Sequence, residues 1–140
     1  MDEILKTEAR EDFNRARKSA FFSQIFNLFS PTKQELLSLQ EVKEALKTRG
    51  ETYRGMQTFP IDRIVGSEGR YRDFNKQFLP RHEYLRSRWQ RVDMAHLTDV
   101  ILPPIKLYEI GGVYFVRDGN HRVSVAKAQG VIAIDAEVTS

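Results

Sequence analysis

A short polar run in the C-terminal third of the chain carries the residue types of an anion-binding turn. It follows a β-rich segment, precedes a helical one, and reads Asp118-Gly119-Asn120-His121-Arg122. The first N–H groups of a helix have no intrahelical partners, and the helix dipole favours an anion beside them. Gly119 leaves room for close approach, Arg122 offers a bidentate charged contact and His121 offers a hydrogen-bond donor. The run therefore indicates a phosphate site, although a helix capped by Asp118 or Asn120 beside a solvated Arg122 would have the same sequence.

Arginine is concentrated in the middle of the chain. Residues 63–91 contain eight basic side chains against three acidic ones, an excess of +5 within a chain of net charge +3. The basic residues are Arg63, Arg70, Arg72, Lys76, Arg81, Arg86, Arg88 and Arg91. The planar fork of arginine suits phosphate, so the segment is a candidate surface for a polyanion such as DNA. The predicted nucleic-acid contacts are Arg81, Arg86, Arg88 and Arg91. A solvated helix face paired with its own acids would have the same composition.

The elements that must position these residues follow from hydrophobic periodicity and turn residues. The predicted strands cover residues 59–65, 105–110, 113–116 and 131–138. Gly111-Gly112 between two of them is the sequence of a two-residue hairpin. A helix is predicted over 123–129, directly after the polar run, with Gly130 as its end. Another helix is predicted to begin near Pro80 and to place Trp89 in the core.

The N-terminal part is predicted as a two-helix extension over residues 1–50. Residues 2–29 lack Pro and Gly, and a second helix is predicted near 33–48. A stripe of Phe and Ile over 21–29 predicts packing on the chain's own domain or on a second copy, which would make a homo-oligomer, and a membrane surface is the alternative. The polar stretch 51–58 predicts a linker.

Composition excludes several kinds of chemistry. The chain has no cysteine, so it has no disulfide, thiol nucleophile, zinc ribbon or iron–sulfur cluster. The histidines show no metal-ligand spacing, so no metal site is expected, and His82 and His96 are interpreted as ordinary polar or core residues. No run approaches the roughly 18 to 20 apolar residues of a membrane span, and the start Met1-Asp2-Glu3 is unlike a signal peptide. We therefore expect a cytoplasmic protein with no membrane partner.

Several motifs, taken in order, resemble the ParB/sulfiredoxin superfamily. They are Ile61-Asp62-Arg63-Ile64, Leu102-Pro103-Pro104-Ile105, the Gly-Gly hairpin, and residues 116–126 followed by Gly130. The resemblance covers about residues 58–140 and leaves the N-terminal helices unmatched. It implies a small α/β (α+β) domain, a mixed sheet with helices, in which the Asp-Gly-x-His-Arg element binds nucleotide phosphates at a helix N-terminus. The implied ligand is a nucleoside triphosphate, CTP or ATP, with Mg²⁺.

This chain differs from individual branches of the superfamily at motif positions, and these differences limit the functions that the resemblance implies. Sulfiredoxins have a cysteine where this chain has Asn120, so sulfiredoxin chemistry is excluded. Partitioning proteins have the motif Gly-Glu-Arg-Arg-x-Arg, and this chain keeps only one of its arginines, Arg122. Partitioning proteins also have a Gln-Pro pair before the hairpin, where this chain has Pro103-Pro104. They also continue into a helix-turn-helix region, which we do not expect here because the sequence ends soon after its last strand.

A branch of free-serine kinases has a similar Asp-Gly-His-His-Arg turn and a glutamate on the loop after its first strand, where this chain has Glu68. The resemblance implies that Glu68 is a general base for an acceptor hydroxyl. Arg70, Arg72 and Arg122 would neutralise the transferred phosphoryl group, and Asp118 would have base or metal-binding character. In the alternative interpretation, Glu68 is an exposed loop carboxylate and Asp118 only bridges the turn to its own helix.

The sequence thus predicts a ParB-like nucleotide-binding domain in a DNA-associated or regulatory protein. An ATP-dependent phosphotransferase related to free-serine kinase is the alternative if the protein is an enzyme. A non-catalytic interaction protein that acts through its helices is the third hypothesis.

Overall fold

A six-stranded mixed sheet lies at the centre of the computed structural model, which describes residues 2–27, 35–46, 50–110 and 112–140. The helices are α1 (Asp2–Asn27), α2 (Leu39–Leu46), α3 (Arg86–Leu97) and α4 (Asn120–Ala128). The strands are β1 (Leu37–Ser38), β2 (Tyr53–Pro60), β3 (Ile64–Ser67), β4 (Ile105–Ile110), β5 (Val113–Asp118) and β6 (Ala133–Thr139). Their order in the sheet is β1-β3-β5-β4-β6-β2, with β5–β4 and β6–β2 antiparallel and the other pairs parallel. The predicted α/β class with a mixed sheet is confirmed.

The predicted hairpin is formed by β4 and β5. The two strands pair antiparallel, and Ile110 lies opposite Val113 across the turn. Gly112 has a φ of 85°, a left-handed conformation that favours glycine, while Gly111 lies outside the described residues. The strand β5 continues to Asp118, so the polar run begins at the C-terminal end of this central strand.

The helix α4 begins at Asn120, three residues before the predicted start. Asn120, His121 and Arg122 are therefore its first turn. The predicted end is confirmed, because Gly130 has a φ of 76° and donates its N–H to the carbonyl of Lys127 at 3.1 Å.

The prediction of a helix over 33–48 is wrong over residues 35–38. Leu37 and Ser38 form the edge strand β1, paired in parallel with β3, and α2 begins only at Leu39. Burial alternates here, since Leu36 and Ser38 are buried and Leu37 is 51% exposed. This two-residue period is that of a strand, and the Ser38 hydroxyl accepts the N–H of Glu41 at 3.5 Å, where the helix starts. Thr32, whose spacing to Glu35 predicts a capping box for this helix, lies outside the described residues.

The predicted linker over 51–58 is also wrong, because most of it belongs to β2. This strand pairs antiparallel with β6 at the edge of the sheet, where polar side chains face solvent and the hydroxyl of Thr58 donates to Asp135 at 2.6 Å. The strand predicted over 59–65 is interrupted by a 3₁₀ turn at Ile61–Arg63, and β3 then extends through Gly66 and Ser67.

The core lies between the sheet and the helices α1, α3 and α4. Trp89 is fully buried as predicted, and its indole N–H donates to the hydroxyl of Ser124 at 2.8 Å. Phe13 of α1 packs edge-on against Trp89, with ring centroids 5.5 Å apart. Before α3, Phe74 pairs with Pro80 in an isolated antiparallel bridge. The helix α1 thus contributes directly to the same core as the sheet.

The aromatic stripe predicted over 21–29 lies where the structure describes no side chains. Association through it stays a prediction. Of the helices that the structure describes, none is long and apolar enough to cross a membrane.

Candidate functional site

The start of α4 is uncapped and glycine is required there. Gly119 has a φ of 108°, and a Cβ at this position would lie 2.5 Å from Cγ2 of Ile105. The carbonyl of Gly119 accepts the N–H of Val123 at 3.0 Å. Within the described chain, neither Asp118, Asn120 nor any other side chain accepts the first-turn N–H groups. These N–H groups are thus free to donate to an anion.

His121 is buried in this first turn in a form that carries no charge. It is 7% exposed, its ring meets that of Phe74 edge-on at 5.3 Å, and Nδ1 has no hydrogen-bond partner among the described residues. Burial, followed by the charges of Arg88 and Arg70, lowers the pKa of His121 from 6.5 to about 4. The imidazole is therefore neutral at pH 7, and its Nδ1 can still form a hydrogen bond.

A cavity of about 320 Å³ opens beside the start of α4. It is lined by Glu68, Gly69, Arg70, Arg88, Val92, Arg117, Asp118, Gly119, Asn120, His121 and Arg122. The structure therefore brings the predicted residues of the polar run together with Glu68 and Arg70. The lining contains four arginines and two carboxylates, and two further carboxylates just outside it pair with the cavity arginines, Asp73 with Arg70 and Glu51 with Arg117. The buried Oδ1 of Asn120 has no partner in the described chain and is available to a ligand donor.

Arg122 is held in place by the protein itself. Its guanidinium donates to the carbonyl of Pro103 and lies 3.3 Å from Oδ2 of Asp118, and its side chain is 17% exposed. It thereby links α4 to the segment before β4. Asp118 bridges the turn to its own helix, as the alternative interpretation predicted, and it also lines the cavity.

Arg88 of α3, a predicted nucleic-acid contact, is one of the cations that line the cavity. It was grouped with the nucleic-acid surface, but the structure places it in the cavity with Arg70. It is exposed and has no ion pair or hydrogen bond with any described residue, whereas Arg70 lies 3.2 Å from Oδ2 of Asp73. Arg72 does not line this cavity; its guanidinium lies over the ring of Tyr71.

Arg117 is a cavity residue that the sequence analysis missed. Its Nε donates to Oε2 of Glu68 at 2.8 Å, and its terminal nitrogens donate to Glu51 at 2.6 and 3.2 Å. The hydrogen bond from Arg117 lowers the pKa of Glu51. Alternation along β5 gives no signal for it, because the consecutive residues Phe115 and Val116 are both fully buried. Glu68 is therefore a paired carboxylate at the cavity wall.

The predicted nucleic-acid arginines divide into two pairs. Arg81 binds Glu35 at 3.3 Å and the carbonyl of Arg72, while Arg86 binds Glu83 and Asn14 and lies over the ring of Phe13. Arg88 and Arg91 are exposed and unpaired in the part of the chain that the structure describes. A polyanion could therefore meet two free cations on α3.

A larger apolar groove of about 620 Å³ adjoins the cavity. Both are lined by Arg122 and Val92, and His96 lies in the groove. His82 is remote from both, with Nε2 3.2 Å from the carbonyl of Arg72. The described residues contain no group of three or more side chains that could hold a metal ion.

Comparison with known proteins gives little beyond these observations. No protein family and no curated protein matches the chain. Among solved structures, a sulfiredoxin from Arabidopsis thaliana is similar, with a TM-score of 0.46 and 15% identity over 61% of this chain and 84% of that one.

Proposed function

We propose that the cavity beside α4 binds the phosphate groups of a nucleoside triphosphate, CTP or ATP with Mg²⁺. The observation that carries this proposal is the uncapped helix start at Gly119 in one cavity with four arginines. Free N–H groups and guanidinium groups are the donors that phosphate oxygens accept. The neutral His121 adds a hydrogen bond without adding charge.

The divalent cation would arrive with the nucleotide. The carboxylates at the cavity are already paired, Glu68 with Arg117 and Asp118 with Arg122. Magnesium is commonly held by phosphate oxygens, waters and one or two carboxylates. Asp118, whose side chain is 64% exposed, could contribute a carboxylate oxygen to such an ion.

Arg88 suggests how binding would serve a DNA-associated or regulatory protein. It lies both in the cavity and on the face of α3 that carries Arg91. A nucleotide that engages Arg88 withdraws one of the two free cations from this face. Occupancy of the cavity would thereby control the affinity of α3 for an anionic partner such as DNA.

Phosphoryl transfer is the second candidate, and the position of Glu68 in the same cavity favours it. As a general base, Glu68 would have to leave Arg117 and take the proton of an acceptor hydroxyl. We expect Glu68→Gln to bind nucleotide as the wild type does and to abolish any turnover with small hydroxyl acceptors. Turnover unchanged in this variant would exclude Glu68 as the base.

Calorimetric titration with CTP, ATP and GTP in the presence of Mg²⁺ tests the binding proposal. Arg88→Ala removes a charged contact and breaks no pair with a described residue, so affinity should fall about tenfold or more. Arg91→Ala is the matched control, because it is an equally exposed and unpaired arginine one turn away that does not line the cavity. Equal losses in both variants, or no binding to the wild type, would contradict the proposal.

A further inference from the structure

Two aspartates are buried together between the helices, away from the phosphate cavity. Asp93 of α3 is 0% exposed and Asp12 of α1 is 5% exposed. Burial of a carboxylate costs free energy unless it is paired or protonated. Two buried carboxyl groups between α1 and α3 therefore need hydrogen-bond donors, cations or protons to offset the cost of their burial.

The compensation visible in the structure is insufficient for two charges. The side-chain amide of Gln129, just after α4, donates to Oδ2 of Asp12 at 2.7 Å and to Oδ1 of Asp93 at 2.8 Å. Arg15 pairs with Asp12 but its side chain is 71% exposed. Oδ2 of Asp93 is buried and meets no donor among the described residues. A proton on the pair would remove this unmet demand, because a protonated carboxyl group donates a hydrogen bond to its neighbour.

We propose that Asp12 and Asp93 share one proton, and that this proton stabilises the packing of α1 on α3 and α4. The charged groups that face Asp93 from α1 are Asp12 and Glu8, both acidic, and the group from the end of α4 is the neutral amide of Gln129. Burial first, and then the hydrogen bond to Asp12, raise the pKa of Asp93 from 3.8 to about 8. The pair holds its proton at neutral pH and loses it in mildly alkaline solution.

The direction of the effect follows from this pKa. Because the folded state keeps a proton that the unfolded chain releases, the stabilising contribution is complete at low pH and is lost as the pH rises toward 8. Apolar contacts of α1, such as Phe13 against Trp89, do not depend on this proton. Deprotonation should therefore loosen α1 on the helix layer rather than unfold the whole protein.

Asp93→Asn tests the shared proton, because an amide keeps the shape of the carboxyl group and donates to Asp12 without titrating. Melting temperatures of the two proteins should be similar at pH 6, and the wild type should melt about 5 °C or more below the variant at pH 9. Asp99→Asn, an exposed site just beyond the same helix, removes the same charge and should show no such divergence. Parallel melting curves for the wild type and Asp93→Asn at both pH values would overturn the proposal.

Two further measurements keep the test decisive. Hydrogen exchange at pH 9 should be faster in α1 of the wild type than in α1 of Asp93→Asn, with α4 equal in both. Since both proteins are compared at one pH, the intrinsic exchange rate cancels. If the variant does not fold, the carboxyl ¹³C signals of the wild type give the result directly, because one aspartate should titrate above pH 7. Titration of all aspartates below pH 5 would overturn the shared proton. Equal hydrogen exchange of α1 in the wild type and in Asp93→Asn would overturn the stabilisation of α1 by this proton.

Discussion

His121 shows how much of the site's chemistry is decided by burial. The sequence gives a histidine beside an arginine, which is compatible with a charged anion ligand. In the fold, the ring is enclosed beside Phe74 and lies in the field of Arg88 and Arg70, so the neutral form is favoured. Nucleotide binding should therefore not require protonation of His121 near pH 7.

The lowered pKa of His121 predicts a pH dependence of stability. The folded state resists protonation below pH 6.5, so the stability that depends on neutral His121 is present above this pH and is lost as the pH falls toward 4. We expect the free energy of unfolding of the wild type, relative to His121→Gln, to fall by about 3 kcal/mol over this range. Denaturant titrations at several pH values measure this difference, and effects of other groups cancel in it.

The exposed His96 provides the control for this prediction. His96→Gln should leave the loss of stability below pH 6.5 as it is in the wild type. A loss that persists in His121→Gln and disappears in His96→Gln would show that the neutral buried histidine is wrongly identified.

At the level of single residues, the local sequence predicted the residues at the start of α4 but not the arginines that reach the cavity from other elements. Gly119 and Arg122 are adjacent to a strand and a helix that the sequence marks clearly. Arg117 and Arg88 enter through long-range packing of β5 and α3, which periodicity alone does not define. Arg72 is excluded because its side chain lies on Tyr71.

Among the elements, those with strong turn signals were predicted well. The hairpin of β4 and β5 and the end of α4 have glycines where positive φ is needed. The edge strands β1 and β2 were missed, because β1 has only two residues and β2 carries polar side chains on exposed faces. Such strands are defined by their partners in the sheet rather than by their own hydrophobic pattern.

Gly66 is the residue on which the contact of β1 with β3 depends. A Cβ there would lie 2.3 Å from the carbonyl oxygen of Leu37 and 2.6 Å from Cδ1 of Phe115. Because backbone and a buried ring cannot both move aside, Gly66→Ala should cost about 3 kcal/mol of stability, measured by chemical denaturation.

Gly69→Ala is the matched control on the following loop, where an added Cβ meets nothing within 4 Å. Its effect should stay within about 0.5 kcal/mol. Equal effects of the two alanines would contradict the close packing of β1 on β3.

In the whole molecule, the cavity is built by the joining of separate segments around one sheet. The loop after β3 supplies Glu68 and Arg70, β5 supplies Arg117, α3 supplies Arg88, and α4 supplies its free N–H groups. The N-terminal residues contribute indirectly, by packing against the elements that line the cavity, since β1 lies beside β3 and α1 packs on α3. The sequence predicted the α/β class, and the contribution of residues 2–46 to the same sheet and core became visible only in three dimensions.

Nucleotide binding at the start of α4 is tested most directly by an amide ¹H–¹⁵N titration of the wild-type protein with CTP or ATP and Mg²⁺. The proposal predicts the largest chemical-shift changes at the N–H groups of Asn120, His121 and Arg122, with smaller ones at Gly69 and Arg70. These are the groups that would donate to, or lie beside, the bound phosphates. Unchanged signals at the start of α4, or changes confined to another surface, would contradict nucleotide binding at this site.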